Sequence, residues 1–256
     1  MNRHISFERL HNFRDLGGYP TADGSHSVRW GRLFRADSLG KLRGPDWERF
    51  LELGVEAVID LRYSWEIDAK GRVPEHPSLS YHHLSIEHRP YDQPSLGPDV
   101  ETGPYLAERY MEVAHDGVVE LRAALEVIAR QDGPVAFHCA SGKDRTGLLA
   151  GLVLALLGVP EDVIVEDFAL TGLATDRLLA DWRADHPGQE PAWPGYGRAP
   201  HEVMSLFLAA LTREHGSVRD YAADLLGVDD TLVAALRENL LEPARQATVQ
   251  PLSSQH

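Results

Sequence analysis

Cysteine is almost absent from this chain. Among 256 residues there is one, Cys139. A single thiol excludes an intramolecular disulfide and a cysteine-based zinc cluster. It also leaves no internal partner to resolve an oxidised sulfur, so repair of Cys139 would need an outside reductant. Long apolar runs are missing too. The longest, 148–159, is too short to cross a bilayer. Positive charge is scarce: 25 Lys and Arg stand against 39 Asp and Glu, for a net −14. That balance, with no basic tract to offset it, argues against a general nucleic-acid binder and against broad adhesion to anionic membranes, while leaving room for a local basic pocket. The first ten residues are polar and mixed, with no secretory pattern, so the expectation is a soluble cytoplasmic protein. Export without a cleavable signal is compatible with the same residues.

The length suits one substantial domain, and the expectation is a single unit over 1–256. The clearest central strand is 55–61 (VEAVIDL), with Asp60 near its C-terminal end. Further strands are expected at 28–35, 79–86 and 134–137. Helical periodicity marks 45–53, 104–114, 117–130, 148–157, 161–170, 171–184, 200–215, 218–226 and 230–241. The stretch 88–104 has loop composition, and a proline- and glycine-rich break covers 187–200. Residues 243–256 look like a frayed tail. In open α/β sheets the functional groups gather at the C-terminal ends of the strands, which makes the position of Asp60 informative.

The chain's chemistry is concentrated in ten residues, HCASGKDRTG, at 138–147. They lie between an expected strand and an expected helix. Strand, tight loop and helix N-terminus make an anion site, because loop amides converge there and the helix dipole adds positive potential. Cys139 opens the loop and Arg145 closes it, with five residues between them. A thiolate at the base of an amide nest suits attack on phosphorus, and Arg145 offers a planar fork for phosphate oxygens. Ala140, Ser141, Gly142, Lys143 and Thr146 would line the phosphate, with Thr146 placed to donate its hydroxyl to the sulfur. His138 would orient the loop, or be a buried histidine satisfied by backbone. This is the Cys-x5-Arg spacing of cysteine-dependent phosphatases. A Walker loop is excluded, since Lys143 is followed by Asp144 rather than Ser or Thr.

A second motif, NFRDLGGY at 12–19, joins the first. Together with GRLFR at 31–35 and Asp60-Leu61-Arg62 followed by Glu66, these residues resemble the bacterial atypical protein-tyrosine phosphatases of the protein tyrosine phosphatase B type. The resemblance spans roughly residues 10–242. It implies an α/β cysteine-phosphatase fold in which a sheet is flanked by helices. A helical, lid-like insertion would follow the catalytic helix, here at 171–215. It implies hydrolysis of phosphotyrosine through a phosphocysteine, with phosphoserine, phosphothreonine or phosphoinositides as further substrates. No metal and no cofactor are called for.

The proton donor is open between two groups. Asp60 ends a core strand on the catalytic edge, or else pairs with Arg62. Asp144 sits inside the loop, or else fixes its shape by a salt bridge. Asp15 and Asp37 are weaker candidates. The Trp193-Pro194-Gly195 run lacks an acid and reads as a turn. Lys143 could hold a second phosphate, as on a phosphoinositide head group, or be a solvated lysine. The partner is accordingly a phosphorylated protein or a phosphoinositide. Competing readings are a phosphate-binding module without turnover, an arsenate reductase and a sulfurtransferase. The retained Cys139 and Arg145 speak against the first, and the missing further cysteines and the loop ending speak against the other two.

Overall fold

The computed structural model describes residues 2–244. In chain order the strands and helices are β1 (Arg14–Asp15), β2 (His26–Val28), β3 (Leu33–Ala36), α1 (Pro45–Glu52), β4 (Ala57–Asp60), α2 (Ser64–Lys70), β5 (Ser80–His83), α3 (Thr102–Asp116), α4 (Val118–Arg130), β6 (Val135–His138), α5 (Asp144–Leu157), α6 (Glu161–Ala169), α7 (Thr175–Asp185), α8 (His201–His215), α9 (Val218–Asp224), α10 (Asp230–Leu240) and β7 (Leu241–Pro243).

The main sheet runs β1-β3-β6-β4-β5. Its last four strands are parallel, and β1 pairs antiparallel with β3. The register sets Ala36 and Asp60 on either side of His138, and His83 beside Asp60. The C-terminal ends of four strands therefore share one edge. Side chains alternate between two apolar layers, as the period of a strand requires. Leu33, Ala57, Ile59, Val135 and Phe137 enter the larger core with α3 to α6 and α8 to α10. Phe34, Val58 and Ala136 face the smaller one, with Phe7, Phe13 and Phe50.

Helix α5 is buried nearly all round, which explains why its sequence is apolar on every face. Its N-terminus meets the sheet edge directly after β6. Gly158, at φ 85°, ends it in the left-handed region, as a glycine at a helix terminus can.

Three expectations are corrected. The single strand at 28–35 is two: β2 pairs with β7, and β3 enters the main sheet. Between them Gly31 turns at φ 71° and donates its amide to Asp15 Oδ2 at 2.7 Å. Residues 243 and 244 are not a tail, since Pro243 lies in β7 and the Ala244 amide donates to the Ser25 carbonyl. The rest of that segment lies outside the described residues. Finally, α8 is no part of a lid. Val203, Met204, Phe207, Leu208 and Leu211 are buried in the main core, because one face of this helix packs on α3 and α6. Helix α7 buries none of its residues, whereas the 187–200 break sets Trp193, 1% exposed, into the main core.

Candidate active site

The loop from His138 to Lys143 is shaped by what its carbonyls do. The His138 carbonyl accepts from the Leu61 amide at 2.9 Å, and the Ala140 carbonyl from the Ser38 amide at 3.1 Å. His138 Nδ1 donates to the Cys139 carbonyl at 3.2 Å. Asn12 Nδ2 donates to the carbonyls of Ser141 and Gly142 at 3.0 and 3.1 Å. Arg35 Nη2 donates to the Gly142 carbonyl at 2.8 Å. The Gly147 amide takes the Lys143 carbonyl at 2.7 Å. All six carbonyls are thus held by partners around the loop. Among the described residues the amides of Ala140 to Lys143 form no hydrogen bond in return. A peptide group has its two ends opposed, so fixing the carbonyls fixes where the amides point. The result is a nest for an anion at the N-terminus of α5. Gly142 makes the turn at φ 69°, and a Cβ there would lie 2.5 Å from the Ala36 carbonyl oxygen.

Beneath the loop lies a buried charge cluster. Arg14 Nε meets Asp167 Oδ1 at 3.1 Å, and Arg35 Nη1 meets Asp167 Oδ2 at 2.7 Å. Tyr19 Oη donates to Asp167 Oδ1 at 2.9 Å, and Arg14 Nη1 to Asn12 Oδ1 at 2.5 Å. Burial pushes Asp167 up, but the two arginines outweigh it and hold the carboxyl below the usual range. Burial, aided by Arg14, brings Arg35 down to about 10. Two guanidiniums against one carboxylate leave positive charge behind the nest. The motif at 12–19 therefore serves as the loop's rear support.

Cys139 is buried at the base of the nest, and Arg145 stands at its edge. The Arg145 fork is not free, as the sequence reading assumed. Nη1 and Nη2 bind Glu66 Oε2 and Oε1 at 2.5 and 3.0 Å, and Nε lies 3.5 Å from Glu87 Oε2. The Tyr63 ring lies 5.3 Å from the guanidinium, and Trp65 stacks on Tyr63 while remaining 61% exposed. Burial works against the Arg145 charge, but Glu66 and the Cys139 charge raise its pKa well above the ordinary value. Burial brings the Glu87 carboxyl up to about 7, against the pull of Arg145.

Asp60 ends β4 beside His138, in a closed set of bonds. It accepts from Arg62 Nε and Nη2 at 2.8 and 2.6 Å and from Tyr81 Oη at 3.0 Å, and His138 Nε2 lies 3.5 Å away. Burial would raise its pKa, but His138 and Arg62 prevail and hold it well below the carboxylate range. A carboxyl so paired carries no proton to give, which counts against Asp60 as donor. Burial lowers the His138 pKa against the pull of Asp60, and the ring braces the Cys139 carbonyl. Asp144, by contrast, opens α5 on the loop itself and is partly exposed. It accepts from Tyr110 Oη at 2.8 Å and from Gln93 Nε2 at 3.3 Å.

Lys143 is buried, not solvated. Its Nζ is 3.4 Å from Asp144 Oδ1 and has no hydrogen-bond partner among the described residues. The Thr146 hydroxyl is buried and bonds to no group among those residues, so the expected bond to Cys139 Sγ is not made. Asp15 and Asp37 bind backbone amides and are scaffold.

A tyrosine phosphatase family model matches residues 5–242. The chain belongs to the tyrosine phosphatase family. A tyrosine-protein phosphatase of Nostoc commune is 31% identical over 217 residues, covering 80% of this chain and 73% of that one. A Cupriavidus necator protein, provisionally named a tyrosine-protein phosphatase, is 33% identical over 259 residues, with 93% and 88% covered. The triple specificity protein phosphatase PtpB of Mycobacterium tuberculosis is 29% identical over 196 residues, with 66% and 69% covered. As expected of a phosphatase of this family, the substrate is a phosphorylated molecule. No helix among the described residues is long and apolar enough to cross a membrane.

Sequence reasoning missed Glu87, Tyr63, Tyr110, Asn12 and Asp167 as members of the site. Glu87 carried a usable signal, since it follows β5 on the catalytic edge, as Asp60 ends β4. Asp167 carried a weaker one: a charge on the otherwise buried face of α6.

Proposed function

We propose that this phosphatase hydrolyses phosphotyrosine through a phosphocysteine at Cys139. The observation that supports this most is the fixed set of six loop carbonyls, which leaves the amides of Ala140 to Lys143 free beside Cys139 among the described residues. An amide nest so held stabilises charge on the transferred group without reorganising during the reaction. The Cys139 thiolate attacks phosphorus, forming the S–P bond as the P–O bond to the aryl oxygen breaks. Asp144 gives its proton to the departing phenolate. Water then attacks phosphorus, Asp144 accepts the proton, and phosphate leaves as the thiolate is restored. Asp144 is favoured over Asp60 because it stands on the loop, where Tyr110 and Gln93 orient it. Arg145 contributes the guanidinium hydrogens that Glu66 does not occupy. Ala140, Ser141, Gly142 and Lys143 supply the amides. His138 positions the loop, and Thr146 packs beneath it.

A wider substrate range is a second reading, and buried Lys143 favours it. A cation next to Asp144 with no other partner among the described residues can meet a second anionic group, as on a phosphoinositide or a phosphoserine peptide. The name of the Mycobacterium relative points the same way.

The deciding measurement compares the wild type with Cys139→Ser, without added metal, on a phosphotyrosine peptide, a phosphoserine peptide and a short-chain phosphoinositide. Turnover is expected on the first at least, and none in the variant, which should still bind phosphate analogues. Turnover that survives in Cys139→Ser excludes the cysteine route. Phosphate binding by the wild type with no turnover on any substrate favours the binding-module reading.

A further inference from the structure

Helices α3 and α8 end side by side. Each carries a histidine in its last turn, His115 on α3 and His215 on α8, and Glu214 precedes the second. We infer that His115, Glu214 and His215 form a binding site for a zinc-type divalent transition metal ion, which ties the C-terminal ends of α3 and α8 together.

Geometry comes first. Glu214 Oε1 lies 2.9 Å from His115 Nε2 and 3.6 Å from His215 Nε2. One ligand atom from each of the three residues can be chosen so that all lie within 4.8 Å of one another. Metal–nitrogen and metal–oxygen bonds to zinc are about 2.0–2.2 Å, so the edge of a tetrahedral site is about 3.3–3.5 Å. Two of the three edges already bracket that length. The third lies within 4.8 Å and closes with a rotation of the His115 ring, which would exchange its hydrogen bond to Glu214 for the metal.

Two further observations point to a cation. His215 is mostly enclosed, at 11% side-chain exposure, and its Nε2 is buried without a hydrogen-bond partner among the described residues. A buried ring nitrogen left unpaired costs stability, and a metal would satisfy it. Both helices also present their C-terminal ends here, where the dipole is negative and favours positive charge. The Tyr221 ring sits 5.3 Å from the His215 ring and holds its orientation.

Ligand chemistry selects the metal. Two imidazoles and one carboxylate suit Zn(II) and Co(II), whereas Ca(II) and Mg(II) favour oxygen ligands. Three protein ligands leave one position for water. The same α3 carries Tyr110, which bonds to Asp144 and packs its ring 5.6 Å from Phe207 of α8. The metal would thus brace two helices that already share a core. It takes no part in the proposed reaction, and the inference stands without that reading.

The test uses the untagged full chain with Cys139→Ser, so that no thiolate competes for the metal. Zinc chloride titrated calorimetrically should show one equivalent bound, and Co(II) should give the visible spectrum of a four-coordinate site. His115→Gln with His215→Gln in the same background should weaken binding more than about 100-fold, since first-sphere ligands are lost. The zinc-induced rise in Tm should vanish with them and reverse on chelation in the parent. Glu214→Gln, alone and at the surface, should weaken binding without disturbing the fold. Equal zinc affinity in the double variant, or no saturable binding by the Cys139→Ser parent at micromolar zinc, overturns the inference.

Discussion

Glu66 grips Arg145 by both terminal nitrogens, at 2.5 and 3.0 Å. The bond spans 79 residues of sequence and fixes the plane of the guanidinium. Its chelate geometry leaves the outer Nη hydrogens directed away from Glu66. Glu66→Ala should let the side chain swing, and a misplacement on the order of 1 Å costs about 100-fold in rate. The expected outcome is a loss of that order in kcat/KM on an aryl phosphate, with the rate of Cys139 alkylation little changed. A loss smaller than about threefold would show that Arg145 is held by other contacts.

Asp144 and Asp60 can be separated by leaving group. Asp144→Asn should slow phosphotyrosine by about 100-fold or more and an activated nitrophenyl ester far less, because the better leaving group needs no proton. Asp60→Asn should act alike on both esters, through the loop, since Asp60 braces His138 and Arg62. The reverse pattern would return the donor role to Asp60.

Asp167 neutralises Arg14 and Arg35 where all three are nearly inaccessible. Asp167→Asn leaves two guanidiniums buried without a counter-charge. Breaking a buried pair in this way costs about 3–5 kcal/mol, read as a lower midpoint in urea. The carboxyl of the folded protein is held below its unfolded value, so its contribution is present above the ordinary carboxylate range and lost as pH falls. A variant as stable as the wild type at pH 7 would contradict this account.

Glu87 titrates near 7 beside Arg145. Its pKa is higher folded than unfolded, so the unfolded chain releases that proton first. Stability from this group is present in acid and lost as pH rises toward and through 7. Once ionised, Glu87 also competes with substrate for Arg145 Nε. In the wild type kcat/KM should therefore decline above about pH 7, and Glu87→Gln should flatten that limb while gaining Tm relative to the wild type as pH rises. An unchanged alkaline limb in Glu87→Gln would assign it to another group.

The sequence by itself determined where the candidate loop lies, because a thiol, a guanidinium and small residues at fixed spacing between a strand and a helix mark an anion site, while the partners that shape it, Asn12, Arg35, Ser38 and Leu61, came with the fold. It also determined the sheet core, since the apolar runs of β4 and β6 have one stable placement, inside. Tertiary structure decided what could not be local. Asp60 and Asp144 are the same residue type, and only their partners, Arg62 in one case and Tyr110 in the other, tell them apart. The motif at 12–19 was legible as a motif but not as a support, because its targets lie at 141–142 and 167. The 28–35 stretch divided because β2 found β7 more than 200 residues away, a pairing that no local pattern specifies. Helix α8 became core rather than cover for a similar reason: its apolar face needed a partner, and α3 and α6 supplied it. His115 and His215 were brought together by that same packing. Burial and charge act through space, so the properties they set belong to the fold.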